Sequence, residues 1–367
     1  MLLLSTFAIF AAGCIATGCR THGEYASESV GMLVIAKKTM AYDFHKYLAT
    51  ERALFEEKFT SLVEGDFEYI NHIREQVFRS KGKQLRPMLV FCTHKLFSEQ
   101  VADQAYLAAS LVEIVHAASL VHDDVVDMAD MRRGNASVRA MFGNKVAVLA
   151  GDYMLTNAFL KAYEESDSQL LVMLVDVIRQ MSAGELLQLQ YANNTQATEQ
   201  SYTRIVSGKT AALFGCCCQC GAYTARASAE DMEAVKEIGR KVGFAFQIKD
   251  DLLDLDKNAA AGKAYGNDLK EGKLTLPALY YLQYCGPEEK KLFFRNLSRI
   301  SELHAEGLED LALLEVMTDQ ILASGGVAYA RQKAQEYTRQ ALDLYHGLHR
   351  SNEFFEQLIL EIGGNPA

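Results

Sequence analysis

The chain of 367 residues has no tryptophan and only four prolines, and it holds few alternating runs of β-branched residues. Scarce proline leaves few forced breaks in a helical pattern, and missing alternation removes the mark of half-buried strands. Both absences exclude a sheet-based fold in favour of an all-α one. Positive charge is short as well: 37 Lys+Arg stand against 47 Asp+Glu, a formal net charge of -10. That excludes a nucleic-acid footprint spread over the surface and leaves room only for local basic sites. With 49% hydrophobic and 23% charged residues, disorder, collagen and a polytopic membrane protein are excluded too.

Eight cysteines are present, and Cys216, Cys217, Cys218 and Cys220 crowd into one segment. Neighbours so close on a helix do not meet disulfide geometry, and the further ligands of a metal site are missing. They read as reduced core residues of an intracellular protein. The first 19 residues carry no charged side chain; as a helix they would span about 28 Å, near the thickness of a bilayer core. Ser5, Thr6, Gly13, Thr17 and Gly18 dilute that stretch, and no basic residue precedes it. Residues 1–40 are therefore read as an N-terminal extension, either a targeting segment or a start assigned too early. Residues 41–367 are read as one helical domain in the cytoplasm, with the extension open to a membrane or organelle role.

From Tyr42 onward one amphipathic pattern follows another. Phe44, Leu48, Leu54, Phe55, Phe59 and Leu62 recur at three- and four-residue spacings, and similar stripes cover 103–128, 145–164, 168–192, 200–226 and 230–256. The segment 107–121 is apolar on nearly every face, as a central helix of a large bundle would be. Pro87 suits a helix start, Gly82 and Gly134 suit turns, and Asn258 to Lys273 reads as a loop.

Two acidic clusters lift this chain above an anonymous bundle. One is Asp123-Asp124-Val125-Val126-Asp127, and the other is Asp250-Asp251-Leu252-Leu253-Asp254. On a helix, residues four apart share a face, so each cluster offers converging carboxylates on a rigid support. Such carboxylates raise each other's pKa unless a cation lies between them, and hard oxygen ligands beside a diphosphate suit Mg²⁺. Cationic residues stand nearby in sequence: Lys83 and Arg86 in Gly82-Lys83-Gln84-Leu85-Arg86-Pro87, and Arg132-Arg133 just after the first cluster. Arginine forks and lysine point charges suit phosphate oxygens. A single Asp pair or lone Arg would read as a surface feature, but their order around two clusters does not.

In these residues, and in His116, Gly151-Asp152, Lys209-Thr210, Gln247 and Asp268-Leu269-Lys270-Glu271-Gly272-Lys273, the chain resembles the trans-isoprenyl diphosphate synthases, the polyprenyl synthetase family. The resemblance runs from about residue 50 to the C-terminus and is nearest to the bacterial long-chain branch. It implies an all-α bundle around a deep cavity, a homodimer, and Mg²⁺-dependent condensation of isopentenyl diphosphate with an allylic diphosphate. By that resemblance Asp123, Asp127 and Asp250 hold Mg²⁺, with Asp124, Asp251 and Asp254 in support. Arg132, Lys209 and Lys273 grip the allylic diphosphate, with Thr210 and Gln247 nearby, while Lys83, Arg86, His116 and Arg133 bind isopentenyl diphosphate. The reaction implied is ionisation, condensation and elimination with no protein nucleophile, in keeping with the lack of any serine or cysteine triad pattern.

Chain length turns on the residues before Asp123. Ser119 lies one helical turn earlier on the same face, with Ala118 beside it, and both are small. A bulky residue there would close the cavity early, so the expectation is a product of hexaprenyl to decaprenyl class for a quinone side chain, released with peripheral membrane contact. Phe159, Leu160 and Met181 are candidates for a deeper floor. Competing readings are a short-chain farnesyl or geranylgeranyl synthase, a terpene cyclase or squalene-type synthase, and a non-catalytic subunit of a heteromeric synthase. The full pair of clusters with the basic residues around them favours an enzyme with two diphosphate substrates.

Overall fold

The computed structural model describes residues 43–79, 82–165, 168–256 and 265–364, so the readings of residues 1–40 lie outside the described residues. Helices α1 (Phe44–Tyr47), α2 (Ala49–Val63), α3 (Glu68–Phe78), α4 (Leu85–Phe97) and α5 (Asp103–Val126) lead to a small hairpin, β1 (Met131–Arg132) and β2 (Asn135–Ala136). Then come α6 (Val138–Phe142), α7 (Asn144–Glu164), α8 (Ser168–Tyr191), α9 (Glu199–Val206), a π-helical turn (Ser207–Ala211), α10 (Ala212–Thr224) and α11 (Ala229–Asp254). The chain continues through α12 (Asn267–Lys270), α13 (Leu276–Tyr284), α14 (Pro287–Ala305), α15 (Leu311–Ala323), α16 (Gly326–Gly347) and α17 (Glu353–Gly363). The fold is all-α, as the scarcity of proline and of strand patterning implies.

Helix α5 is the central element, packed by α2, α4, α7, α8 and α10. It is long and apolar enough to cross a membrane, yet most of it is buried inside the chain. Leu111, Val112, Ile114 and Ala118 are fully buried, which is where an all-round apolar helix belongs. Phe44, Leu48, Phe55, Phe59 and Leu62 join the same core, but Leu54 is 43% exposed and leaves the expected stripe.

Helix α10 reaches its neighbours through small residues. A Cβ on Gly239 of α11 would lie 2.5 Å from the Phe214 carbonyl, and one on Gly243 would lie 2.7 Å from Ala211 Cα. Cys216, Cys217, Cys218 and Cys220 are buried free thiols at this contact, so they act as small core residues. Burial pushes the Cys218 thiol up to about 12, which keeps it protonated and unreactive.

Local chemistry sets the helix ends. The Ser228 hydroxyl accepts from the Asp231 amide at 3.0 Å to start α11. Pro277 and Pro287 stand in the first turns of α13 and α14, where a missing N–H costs nothing. Gly134 is in a turn as expected, and two features add to the sequence reading. Arg133 (φ 50) and Gly134 (φ 78) form the two-residue turn of the hairpin, both left-handed as such turns require. The expected loop from Asn258 to Lys273 contains α12, because Asp254 accepts from the amides of Asn267 and Asp268, each at 3.0 Å.

Candidate active site

Both acidic clusters sit at the C-terminal ends of their helices, α5 and α11, where the helix dipole already presents partial negative charge. Carboxylates gathered there are disfavoured unless cations face them, and the surrounding side chains supply them. Lys273 Nζ lies 3.2 Å from Asp127 Oδ1 and also pairs with Glu271. Burial opposes its charge, but Glu271 and Asp127 outweigh that and hold its ammonium above the ordinary range. The turn carrying Lys273 is itself pinned by Asp254 of the second cluster, so this lysine ties the ends of α5 and α11 together.

Lys209 comes from the π-helical turn, the kind of irregularity that re-aims side chains at functional positions. Its Nζ lies 2.5 Å from Glu185 Oε2 on α8. The turn touches α8 through glycine: a Cβ on Gly208 would lie 2.7 Å from the Gln180 carbonyl and 3.0 Å from Gly184 Cα. Asp123 faces this group. Burial pushes its carboxyl up to about 6, with Lys209 opposing and Glu185 and Asp127 adding to the rise. Asp250 is exposed at the end of α11.

Asp251 turns inward, only 5% exposed. It accepts from the Tyr202 hydroxyl at 2.6 Å and from Gln247 Nε2 at 2.8 Å, and Gln247 Oε1 accepts from Thr210 at 2.6 Å. Burial pushes the Asp251 carboxyl up to about 7. Lys249, next to Asp250, donates to the Ile362 carbonyl at 2.9 Å and so docks the end of α17 beside the second cluster.

A second group forms further along α5, in a cleft between α2, α3 and the hairpin. Glu113, His116, Asp124, Arg132 and Arg133 line it. Arg132 forks onto Asp124 Oδ1 at 2.8 Å and 2.5 Å, and its charge, like that of Lys209, also opposes the rise at Asp123. The Arg133 guanidinium lies against Gly82, where a Cβ would sit 2.8 Å from it. Gln84 donates to Glu56 at 3.1 Å and accepts from Arg52 at 3.4 Å, which pins the segment carrying Lys83 and Arg86. Lys83 is exposed. The Arg86 guanidinium stands 5.1 Å over the Phe214 ring, and its buried Nε has no hydrogen-bond partner among the described residues. His116 is held well below its ordinary pKa by burial and by Arg86, Arg133 and Arg132, so its ring is neutral. Burial raises Glu113 against the pull of Arg86 and Arg133.

His122 explains the small residue in Gly151-Asp152. Its ring lies over Gly151, with Nε2 3.1 Å from the Val148 carbonyl and 3.4 Å from Asp152 Oδ1. Ala118 is packed into the core and does not line the cleft, whereas Ala117 does. Ser119 is half-buried and donates to the His116 carbonyl at 2.8 Å. Phe159 and Met181 pack against the core, but Leu160 is 58% exposed and cannot floor an internal cavity. Glu113, Glu185 and Tyr202 were not singled out from the sequence, each being recognised only by a partner brought close in the fold, and Glu271 was quoted within a motif but given no role.

Among the described residues no three His, Cys, Asp or Glu side chains converge to hold an ion by themselves. Pairs of carboxylates at Asp123/Asp127 and Asp250/Asp254 do fit a hard cation that takes one or two protein oxygens and completes its shell with water and phosphate.

An all-α chain with two aspartate clusters, linked by lysines and flanked by a cleft of arginines, defines a protein that handles a multiply charged anion. The chain belongs to the polyprenyl synthetase family, whose model matches residues 67–311. It is 34% identical to the octaprenyl diphosphate synthase of Escherichia coli over 278 residues, 76% of this chain and 83% of that one. It is 30% identical to a geranylgeranyl diphosphate synthase of Sulfolobus acidocaldarius over 77% of this chain and 86% of that one. The fold is similar to a polyprenyl synthase from Caulobacter crescentus complexed with calcium and isoprenyl diphosphate, with TM-score 0.79 and 27% identity over 87% of this chain and 95% of that one.

Proposed function

We propose that this chain elongates an allylic diphosphate with isopentenyl diphosphate, head to tail and trans, to a long-chain polyprenyl diphosphate for a quinone side chain. The observation that carries the reading is Lys273, anchored through the Asp254 turn of the second cluster and reaching Asp127 of the first. One anionic group can thereby meet both clusters. The allylic diphosphate lies at this mouth, against Lys209 and Lys273, with Thr210 and Gln247 behind it and Arg132 at its edge. Isopentenyl diphosphate lies at Lys83, Arg86, His116 and Arg133, where the orphaned Arg86 Nε awaits an acceptor.

A divalent cation suits the donor set, and magnesium is the one proposed, held by Asp123, Asp127 and Asp250 with Asp124, Asp251 and Asp254 in support. When bound it stabilises charge on a departing diphosphate. The lysines and arginines do the same from fixed positions. The C–O bond of the allylic substrate breaks, the double bond of isopentenyl diphosphate attacks the resulting carbocation, and a C–C bond forms. The proton lost in the final elimination goes to the released diphosphate.

The long product is supported by the small Ser119 one turn below Asp123 and by the octaprenyl synthase relative. A homodimer fits the exposed apolar face of α7 and α8, where Leu149, Leu160, Val172, Val175, Leu186 and Leu189 are each more than half exposed. The apolar tail of the product would leave at a membrane surface.

The reading is tested by release of inorganic diphosphate. Release is expected only when both substrates and magnesium are present. Release from the allylic substrate alone would instead support a cyclase, and no release from a folded chain would support a non-catalytic subunit.

A further inference from the structure

We propose that Glu185 and Glu271 are resting counter-ions of Lys209 and Lys273, which an incoming diphosphate must displace. This rests on the reading of the mouth as the allylic diphosphate site. Neither glutamate belongs to an aspartate cluster, yet each holds one of the two lysines assigned to the diphosphate. Lys209 Nζ lies 2.5 Å from Glu185 Oε2, with the two side chains 25% and 17% exposed. Lys273 pairs with Glu271, with side chains 16% and 21% exposed.

These are built pairs rather than passing surface contacts. Gln188 Nε2 donates to Glu185 Oε1 at 2.8 Å and so turns Oε2 toward Lys209. That oxygen is buried and takes no other partner among the described residues. The glycine contact between Gly184 and Gly208 fixes α8 against the π-helical turn, so the spacing of the pair is set by backbone. Glu271 stands one residue beyond α12, on the turn that Asp254 pins.

The physical reason is the cost of partly buried charge. A lysine in a half-closed mouth needs a counter-ion when no substrate is present. Its ammonium is a rotatable point charge and can exchange one oxygen partner for another. When a diphosphate takes both lysines, Glu185 and Glu271 are left facing Asp123 and Asp127 with no cation between them. Divalent metal then relieves this repulsion, so diphosphate binding is made conditional on metal. The glutamates thus make the mouth selective for the metal–diphosphate pair over free anions.

The test is calorimetric titration of the full chain with inorganic diphosphate, in EDTA and in magnesium. The wild type is expected to bind weakly in EDTA. Glu185→Gln and Glu271→Gln are each expected to bind at least fivefold more tightly in EDTA and to gain less from magnesium. Glu185→Asp, which keeps the charge, should stay near the wild type, as should the exposed control Glu288→Gln. Variants with unchanged circular dichroism that bind no more tightly in EDTA would overturn the proposal while leaving the mouth reading in place, provided the wild type binds in magnesium. A wild type that binds diphosphate in neither condition would overturn both.

Discussion

The Tyr202 hydroxyl on α9 donates a 2.6 Å hydrogen bond to Asp251 Oδ2 on α11, across 49 residues of sequence, and both groups are buried. This bond fixes the middle carboxylate of the second cluster from behind, so that Asp250 and Asp254 on either side are held at a set rotation of α11. Tyr202→Phe leaves Asp251 with Gln247 as its remaining donor. Leaving a buried acceptor short of a partner costs about 1–3 kcal/mol. Urea unfolding should show a loss of that size together with reduced turnover, and a variant as stable as the wild type would contradict the assignment.

The product length should respond at Ser119 rather than at Ala118. Ser119 is half-buried on the Asp123 face, so Ser119→Phe is expected to fold and to shorten the product. Ala118 is fully packed, and Ala118→Phe is expected to lose about 1–3 kcal/mol to overpacking. Chromatography of dephosphorylated products, with thermal unfolding of both variants, checks the pair. An unchanged product from Ser119→Phe would contradict a cavity running down from Asp123.

Removing a cluster carboxylate should stop chemistry without unfolding the chain. Asp123→Ala and Asp250→Ala are each expected to lower turnover on the order of 10²–10³-fold, the scale of losing one preorganised electrostatic partner. Asp123 is raised by burial among like charges, so its removal relieves rather than costs stability. Circular dichroism and turnover measured on the same samples check this, and a collapsed helical spectrum would assign these residues to the core instead.

His116 should make stability depend on pH in a definite sense. Its native pKa lies well below the ordinary value because of burial and three neighbouring arginines. The unfolded chain therefore binds the imidazole proton first, near pH 6.5. Below that pH the unfolded state gains protons that the native state refuses, so stability is lost as pH falls through about 6.5. His116→Asn should lose less stability than the wild type between pH 7.5 and 5.5, as read by urea midpoints. Equal losses would place the ring in a solvated site.

Much of this fold was legible before any coordinates. The stripe at 145–164 became α7 (Asn144–Glu164) and that at 230–256 became α11 (Ala229–Asp254), because single amphipathic helices write their period directly into sequence. Both aspartate clusters were legible for the same reason, since their members are helical neighbours. The stretch 200–226 read as one helix but carries a π-helical turn at Ser207–Ala211, which leaves no mark in an apolar period. Glu113, Glu185 and Tyr202 escaped notice because their meaning lies in partners brought close by packing: Arg86, Lys209 and Asp251. The pairing of Arg132 with Asp124 was hidden likewise, since it is the hairpin at Arg133-Gly134 that turns the arginine back onto that carboxylate.

The central claim is that two clusters and their cations act together on a diphosphate to join isoprene units. The most direct measurement is incubation of the purified chain with labelled isopentenyl diphosphate and farnesyl diphosphate, with and without magnesium, followed by chromatography of the dephosphorylated products. A magnesium-dependent ladder ending at hexaprenol or longer is the expected result. Absence of any label in prenols, from a chain that is folded and supplied with magnesium, would contradict it.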